Sequence, residues 1–273
     1  MIGSRLEKAG WRQGSILESQ YVAEALSFSN TPHSENTILI VASQSCDIAN
    51  NNITADPYIE LSIARVIADL DGNLTHNKNA RMLHTKIMVS TNNSDVYEEL
   101  NIELKAFEKV HIPKEKFTQF SLDVDKTLEA KQLDSYIAWL AARYSRPALP
   151  SEFNSRISSS QSKLKKKAKS VNEHLSGIYV EIMPDAEISP DEIYKVNLLG
   201  LVSPSFNGDM EKIKSSITAY AEIFENAGMN VISMVEKEDS ISVATIKRFK
   251  RFYYDDLSFK TDAPLPSETQ TIL

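Results

Sequence analysis

Apolar runs and polar breaks divide the chain into a strand-rich first part, a helical middle and a mixed last part. Residues 37–43, Thr37-Ile38-Leu39-Ile40-Val41-Ala42-Ser43, are β-branched and apolar between polar flanks, which predicts a central strand. Residues 14–17 predict a short strand before it. Residues 58–67 predict one after it, starting behind Pro57, where a strand tolerates proline. Asp71-Gly72 is a turn signal. Residues 86–89 and 100–110 read as two more strands, the second carrying Ile102, Leu104, Ala106 and Val110. Five strands in short order predict a small barrel or a strongly curved sheet.

Helical spacing begins after Asp123. In residues 133–144, Ile137, Leu140 and Ala141 recur at i, i+3 and i+4, and Pro147 and Pro150 end the pattern. Ser151 is positioned to cap a second helix running through the lysine-rich stretch to His174. Residues 177–183 and 194–202 read as strands. Asp209 caps a helix over 210–227 closed by Gly228, and residues 230–236 read as a third strand. The expectation is an α+β protein: a small β-barrel-like domain (1–120), a helical connector (121–175), an α+β sandwich (176–260) and a mobile tail (261–273).

With 273 residues and 42% hydrophobic content, the chain has enough apolar side chains for a core without disulfides. Its single cysteine fits a reducing compartment. The longest apolar run, residues 38–42, is far shorter than the roughly 18 residues of a membrane span. No apolar leader follows Met1, so a cytoplasmic location without a membrane partner is expected. A net charge of −7 argues against a non-specific nucleic-acid coat, while leaving room for a local basic site.

The densest candidate chemistry is the turn Ser43-Gln44-Ser45-Cys46-Asp47, where polar residues crowd the end of a buried strand. Cys46 and Asp47 suit a nucleophile with an orienting acid, given a base such as His76, His84 or His111. The plainer reading packs Cys46 as a small hydrophobe and lets Asp47 cap the turn. Gln44 and Asp47 are the stronger functional candidates, because both are costly to bury without partners.

A basic stretch over 76–84 offers Arg81 and His84 for phosphate binding or acid–base work, or forms a solvated hairpin loop. Arg143 and Arg146 flank Tyr144 at a helix end, where cations meet free carbonyls or bind a partner. The lysines at 163, 165, 166, 167 and 169 read as one solvated helix face, with a nucleic-acid contact as the alternative. Residues 247–254 interleave basic and aromatic side chains, either to stack bases or to bury Phe249, Phe252 and Tyr253. Histidines lie scattered, without HxxxH or HExxH spacing, so no metal site and no cofactor are expected. Asp47, Asp56, Glu60 and Lys86 make only a weak magnesium-nuclease set. Glycine-rich phosphate loops and a GxSxG elbow are absent.

The segments Ser43-Gln44-Ser45-Cys46-Asp47-Ile48 and Arg143-Tyr144-Ser145-Arg146-Pro147-Ala148-Leu149-Pro150 resemble those of an uncharacterised bacterial protein group. That group shares S-Q-x-C-D, R-x-L-H and R-Y-x-R-P-x-L-P segments. This resemblance implies kinship without a mechanism. More narrowly, Arg12-Gln13-Gly14-Ser15-Ile16-Leu17 with the two strands after it is similar to the opening of PemK/MazF-like toxin barrels. That similarity implies a small barrel that cuts RNA without metal. Gln13 within the Arg-Gly pair, the long spacing to the next strand and a whole extra C-terminal half depart from it.

The resulting expectation is a bacterial or phage nucleic-acid-directed protein, a metal-independent endoribonuclease in its sharpest form. Asp47, Arg81 and His84 would be catalytic, with Arg12, Gln44, Cys46, Arg143 and Arg146 binding. Its competitor is a non-catalytic binding or inhibitor subunit in a host–phage conflict system. Nucleic acid and a protein partner are the partners these readings imply.

Overall fold

The computed structural model describes residues 1–32, 34–71, 74–75, 77, 79–90, 97–145, 148–160, 163–164 and 175–252. The chain forms two compact units, Met1–Tyr144 and Ser145–Leu273. Their boundary falls inside the segment expected to be a helical connector. One connector helix belongs to each unit, so the connector forms no body of its own.

In the first unit, the apolar run 37–43 is β1 (Thr37–Val41), buried at every position. From Ile38 on it is continuously apolar because both faces are covered. Leu39 and Val41 join a core with Leu6, Trp11 and Val22. Ile38 and Ile40 join another with Leu83, Ile102 and Trp139. Beside β1 lie β2 (Tyr58–Val66), β3 (Met82–Ser90), β4 (Tyr97–Pro113) and β5 (Lys126–Thr127), in the antiparallel order β1-β2-β4-β3-β5. Met82 and His84, expected in a loop, therefore sit within a strand.

β4 is long enough to turn a corner. Ser62 of β2 faces Lys109, whereas Ala64 faces Leu104, so residues 105–108 bulge opposite Ile63. Such a bulge bends the strand and sharpens its twist. The curl brings both sheet edges to one segment. Leu17 N–H donates to Leu39, tying residues 16–17 to β1, and Asp123 N–H donates to Ile16 at 2.8 Å. A few residues later the same chain becomes β5 on the opposite edge. The expected first strand over 14–17 is reduced to two isolated bridges.

Four short helices, α1 (Ile2–Lys8), α2 (Val22–Leu26), α3 (Ser45–Ala49) and α4 (Lys114–Phe117), belong to this unit, as does the longer α5 (Ala130–Ser145). α5 buries Tyr136, Trp139 and Ala142, one residue round from the expected Ile137–Leu140–Ala141 stripe, and leaves Ile137 exposed. The two aromatics bring more apolar area. The Tyr136 hydroxyl also finds Ser62 Oγ at 2.8 Å and the Ile40 carbonyl at 3.3 Å.

The second unit contains α6 (Ser151–Ser158), β6 (Leu175–Met183), β7 (Lys195–Val202), α7 (Met210–Glu225), β8 (Asn230–Lys237), α8 (Val243–Ile246) and β9 (Lys250–Arg251). Its sheet order is β8-β7-β6-β9. β6 and β7 are antiparallel, and α7 carries the crossover to parallel β8. Asp209 caps α7 through the Glu211 and Lys212 N–H groups, and Gly228 leaves it at φ +81. The cap of α6 differs from expectation: Pro150 is its N-cap and Ser151 its first residue. The Ser151 and Glu152 N–H groups donate instead to the Glu187 carboxylate.

Phe249 and Phe252 are buried, and Lys250 pairs with Asp185, which gives the basic-aromatic segment a packing role. Tyr253, Tyr254, the lysines at 165, 166, 167 and 169, His174 and residues 261–273 lie outside the described residues. Among the described residues no helix is long and apolar enough to cross a membrane.

Candidate functional site

The Ser43–Asp47 turn is built by β1 running out of partners. Ala42 and Ser43 both donate main-chain N–H groups to the Glu60 carbonyl, and Ser43 Oγ accepts from Glu60 N–H at 2.9 Å. Gln13 secures the other side, its amide donating to the Ala42 carbonyl and its N–H to Ser45 Oγ. The chain then enters α3, with Gln44 at the N-cap making no side-chain cap. Cys46 is exposed and does not pack as a small hydrophobe; its thiol lies 3.4 Å from both Gln44 Oε1 and Asp47 Oδ1.

Two contacts hold α3. Lys114, fully buried, donates to the carbonyls of Asp47 at 2.6 Å and Asn50 at 2.9 Å. Burial lowers the Lys114 pKa, opposed by the nearby Asp56 and Asp47 carboxylates. On α1, Gly3 approaches so closely that a Cβ there would lie 2.3 Å from the Ala49 carbonyl oxygen.

The residues singled out from sequence do not gather around this turn. Arg12 turns its guanidinium onto the Glu7 and Trp11 carbonyls, closing the end of α1. His84 lies in a cross-strand row with Glu103, Arg65 and Thr37, at the opposite end of β1 from Ser43. Arg65 lies five positions along β2 from Glu60, about 16 Å at roughly 3.3 Å per residue.

His84 also alternates with Leu83, which faces the α5 core, so it occupies the other face of the sheet. Both its nitrogens are engaged there. Asp71 N–H donates to Nδ1 at 3.0 Å, and Nε2 donates to Glu103 at 3.2 Å. Arg81 is exposed just before β3, with its carbonyl accepting from Ala106. Arg143 is exposed in the last turn of α5. Arg146 and His76 lie outside the described residues.

What the sheet places beside Ser43 is a different set. Glu60 faces His111 across β2 and β4, and Ser62 faces Lys109 in the next row on that face. His111 Nε2 donates to Glu60 Oε2 at 3.0 Å, and Lys109 Nζ pairs with the other carboxylate oxygen. Lys109 also lies over the Tyr144 ring, 5.9 Å from its centroid. Tyr136, hydrogen-bonded to Ser62, fills this face deeper in; its pKa is pushed up by burial, with a smaller upward push from Glu60.

Held by Glu60 through Nε2–H, His111 keeps Nδ1 as a proton acceptor on a side chain that is 56% exposed. A carboxylate that orients an imidazole, beside an ammonium, is an arrangement suited to proton transfer next to developing negative charge. The sequence offers Glu60 and His111 only as members of other sets, and Lys109 in none. Their shared parity, 58-60-62 on one strand and 109-111-113 on the other, was the available signal. Among the described residues, no group of three or more His, Cys, Asp or Glu side chains is placed to hold a metal ion. Comparison of the chain with family models, with curated proteins and with solved structures finds no match.

Proposed function

We propose that this protein acts on nucleic acid, as a metal-independent endoribonuclease centred on Glu60, Lys109 and His111. The observation that carries this reading is the His111–Glu60 hydrogen bond, with Lys109 on the same carboxylate, beside the Ser43 turn. In the proposed step, His111 Nδ1 takes the proton of a ribose 2′-hydroxyl. The 2′-oxygen attacks the adjacent phosphorus, and the bond to the 5′-oxygen breaks. The imidazolium returns the proton to that leaving oxygen, giving a 2′,3′-cyclic phosphate and a 5′-hydroxyl end. Lys109 offsets the charge on the phosphoryl oxygens. Glu60 orients the imidazole and stabilises its protonated form, the role a carboxylate plays in a catalytic triad.

The test is incubation of purified protein with mixed single-stranded RNA in EDTA, followed by analysis of the chain ends. Cyclic phosphate ends are expected, with a loss of about 10²–10⁴-fold in His111→Ala. A wild-type protein that leaves RNA intact overturns the catalytic reading. A non-catalytic binding role is favoured by one feature: Lys109 is held by both Glu60 and Tyr144. Ligand binding without cleavage selects that role.

A further inference from the structure

The Glu60–His111 pair lies between two exposed aromatic side chains. Tyr58 shares the face of Glu60, two residues away on β2, and stands opposite Pro113. It is 54% exposed. On the other side, in the Ser62–Lys109 row, Tyr144 stands with its ring against the Lys109 ammonium and is 79% exposed. The chain supplies a reason for each exposure. Tyr58 opens β2 at the sheet's end. Tyr144 lies in the last turn of α5, past the buried Tyr136, Trp139 and Ala142.

Among the described residues, large aromatic surface is left in water on both sides of the charged pair. The Tyr58 row and the Ser62–Lys109 row, against which Tyr144 stands, are four residues apart on β2, about 13 Å at roughly 3.3 Å per residue. Aromatic faces beside cations hold single strands by stacking, and do so with little regard to sequence. Base-paired nucleic acid keeps its bases stacked on one another and offers no free face.

We infer that Tyr58 and Tyr144 are base-stacking platforms that bind single-stranded RNA on either side of the Glu60–His111 pair, with Lys109 meeting its phosphates. This deepens the nucleic-acid reading above and rests on it for the choice of ligand. It places a phosphodiester at His111 by gripping the nucleotides before and after it.

The experiment uses a fluorescein-labelled 2′-O-methyl RNA of about 12 nucleotides, a length within the span of small single-strand sites. Lacking a free 2′-hydroxyl, it reports binding without cleavage. Anisotropy at low salt should show binding by the full chain, and weaker binding of the same strand annealed into a duplex. Tyr58→Ala and Tyr144→Ala should each raise Kd about 5- to 150-fold, the range for one lost base stack. Tyr58→Phe and Tyr144→Phe should retain wild-type affinity, which a structural role for the hydroxyls would not allow. Unchanged tryptophan fluorescence and circular dichroism establish that the alanine variants fold.

No binding of the single strand overturns the inference, as does equal affinity for the duplex or alanine variants that bind like wild type. Tyrosine-dependent binding by a protein that fails to cut unmodified RNA upholds this inference and removes the catalytic one.

Discussion

Lys114 reaches from the first residue of α4 to the Asp47 carbonyl, placing a fully buried ammonium 2.6 Å from the end of α3. The free carbonyls of a helix C-terminus carry partial negative charge, so a cation there is favoured. This contact and the close approach of Gly3 hold α3, while Glu60 and Gln13 hold the turn before it.

Lys114→Met should therefore destabilise the first unit by about 2–3 kcal/mol, the cost of losing hydrogen bonds to a charged donor. Both tryptophans, Trp11 and Trp139, lie in this unit, so urea unfolding followed by tryptophan fluorescence reads it alone. The pH dependence has a definite sign. Burial places the folded pKa below 10.5. Between that lowered value and 10.5, the unfolded chain keeps a proton that the folded chain has released. Stability from this group then rises with pH. The gap between wild type and Lys114→Met should widen as pH climbs through that window.

Gly3→Ala should cost about 3 kcal/mol, near the upper end for overpacking. Its Cβ meets main-chain oxygens of Ala49 and Asn50, which have no rotamer to move. α3 must shift, and the exposed Cys46 on it reports that shift directly. Alkylation of Cys46 should change rate in Gly3→Ala under native conditions, while urea unfolding shows the lost stability.

The parts of this fold that were legible in sequence are those where one residue run sets its own environment. β1 is apolar from Ile38 to Val41 because both its faces are covered, and α7 carries an Asp209 cap and a Gly228 stop around buried Ile213, Ile217 and Phe224. Register was not legible. His111 meets Glu60 only because residues 105–108 bulge and reset the pairing by several positions. Parity alone shows which residues share a face, not which face each other. His84 failed as a neighbour of Asp47 for the same reason. Its strand leads it to Glu103 and to a loop whose Asp71 N–H closes over it. The α5 face was misread by one residue because Tyr136 and Trp139 outweigh Ile137 once Ser62 supplies a hydroxyl partner.

That partnership predicts non-additive energetics. Tyr136→Phe leaves the Ser62 hydroxyl buried without its 2.8 Å partner, at a cost of about 1–3 kcal/mol. Adding Ser62→Ala removes the stranded group. The double variant should recover most of that loss, because replacing both partners by apolar groups is close to neutral. A thermodynamic cycle on urea midpoints measures the coupling. Simple addition of the two single losses would mean that the hydroxyls do not act as a pair.

The second unit carries the acid-sensitive contact. Glu187 accepts from the N–H groups of Glu152 and Ser151, which together lower its pKa below the ordinary 4.5. A carboxylate held low in the folded state stabilises it above pH 4.5, and that contribution is lost as pH falls through the folded value. It also places a negative charge at the N-terminus of α6, where the helix dipole favours one. Glu187→Ala should lower the unfolding midpoint of the second unit at neutral pH, with the difference from wild type shrinking as the solution is acidified and vanishing once Glu187 is protonated. Circular dichroism follows the loss. Tryptophan fluorescence follows the first unit separately, since both tryptophans lie in it. A wild-type and variant difference that persists unchanged at acid pH would show that Glu187 acts through packing and not through its charge.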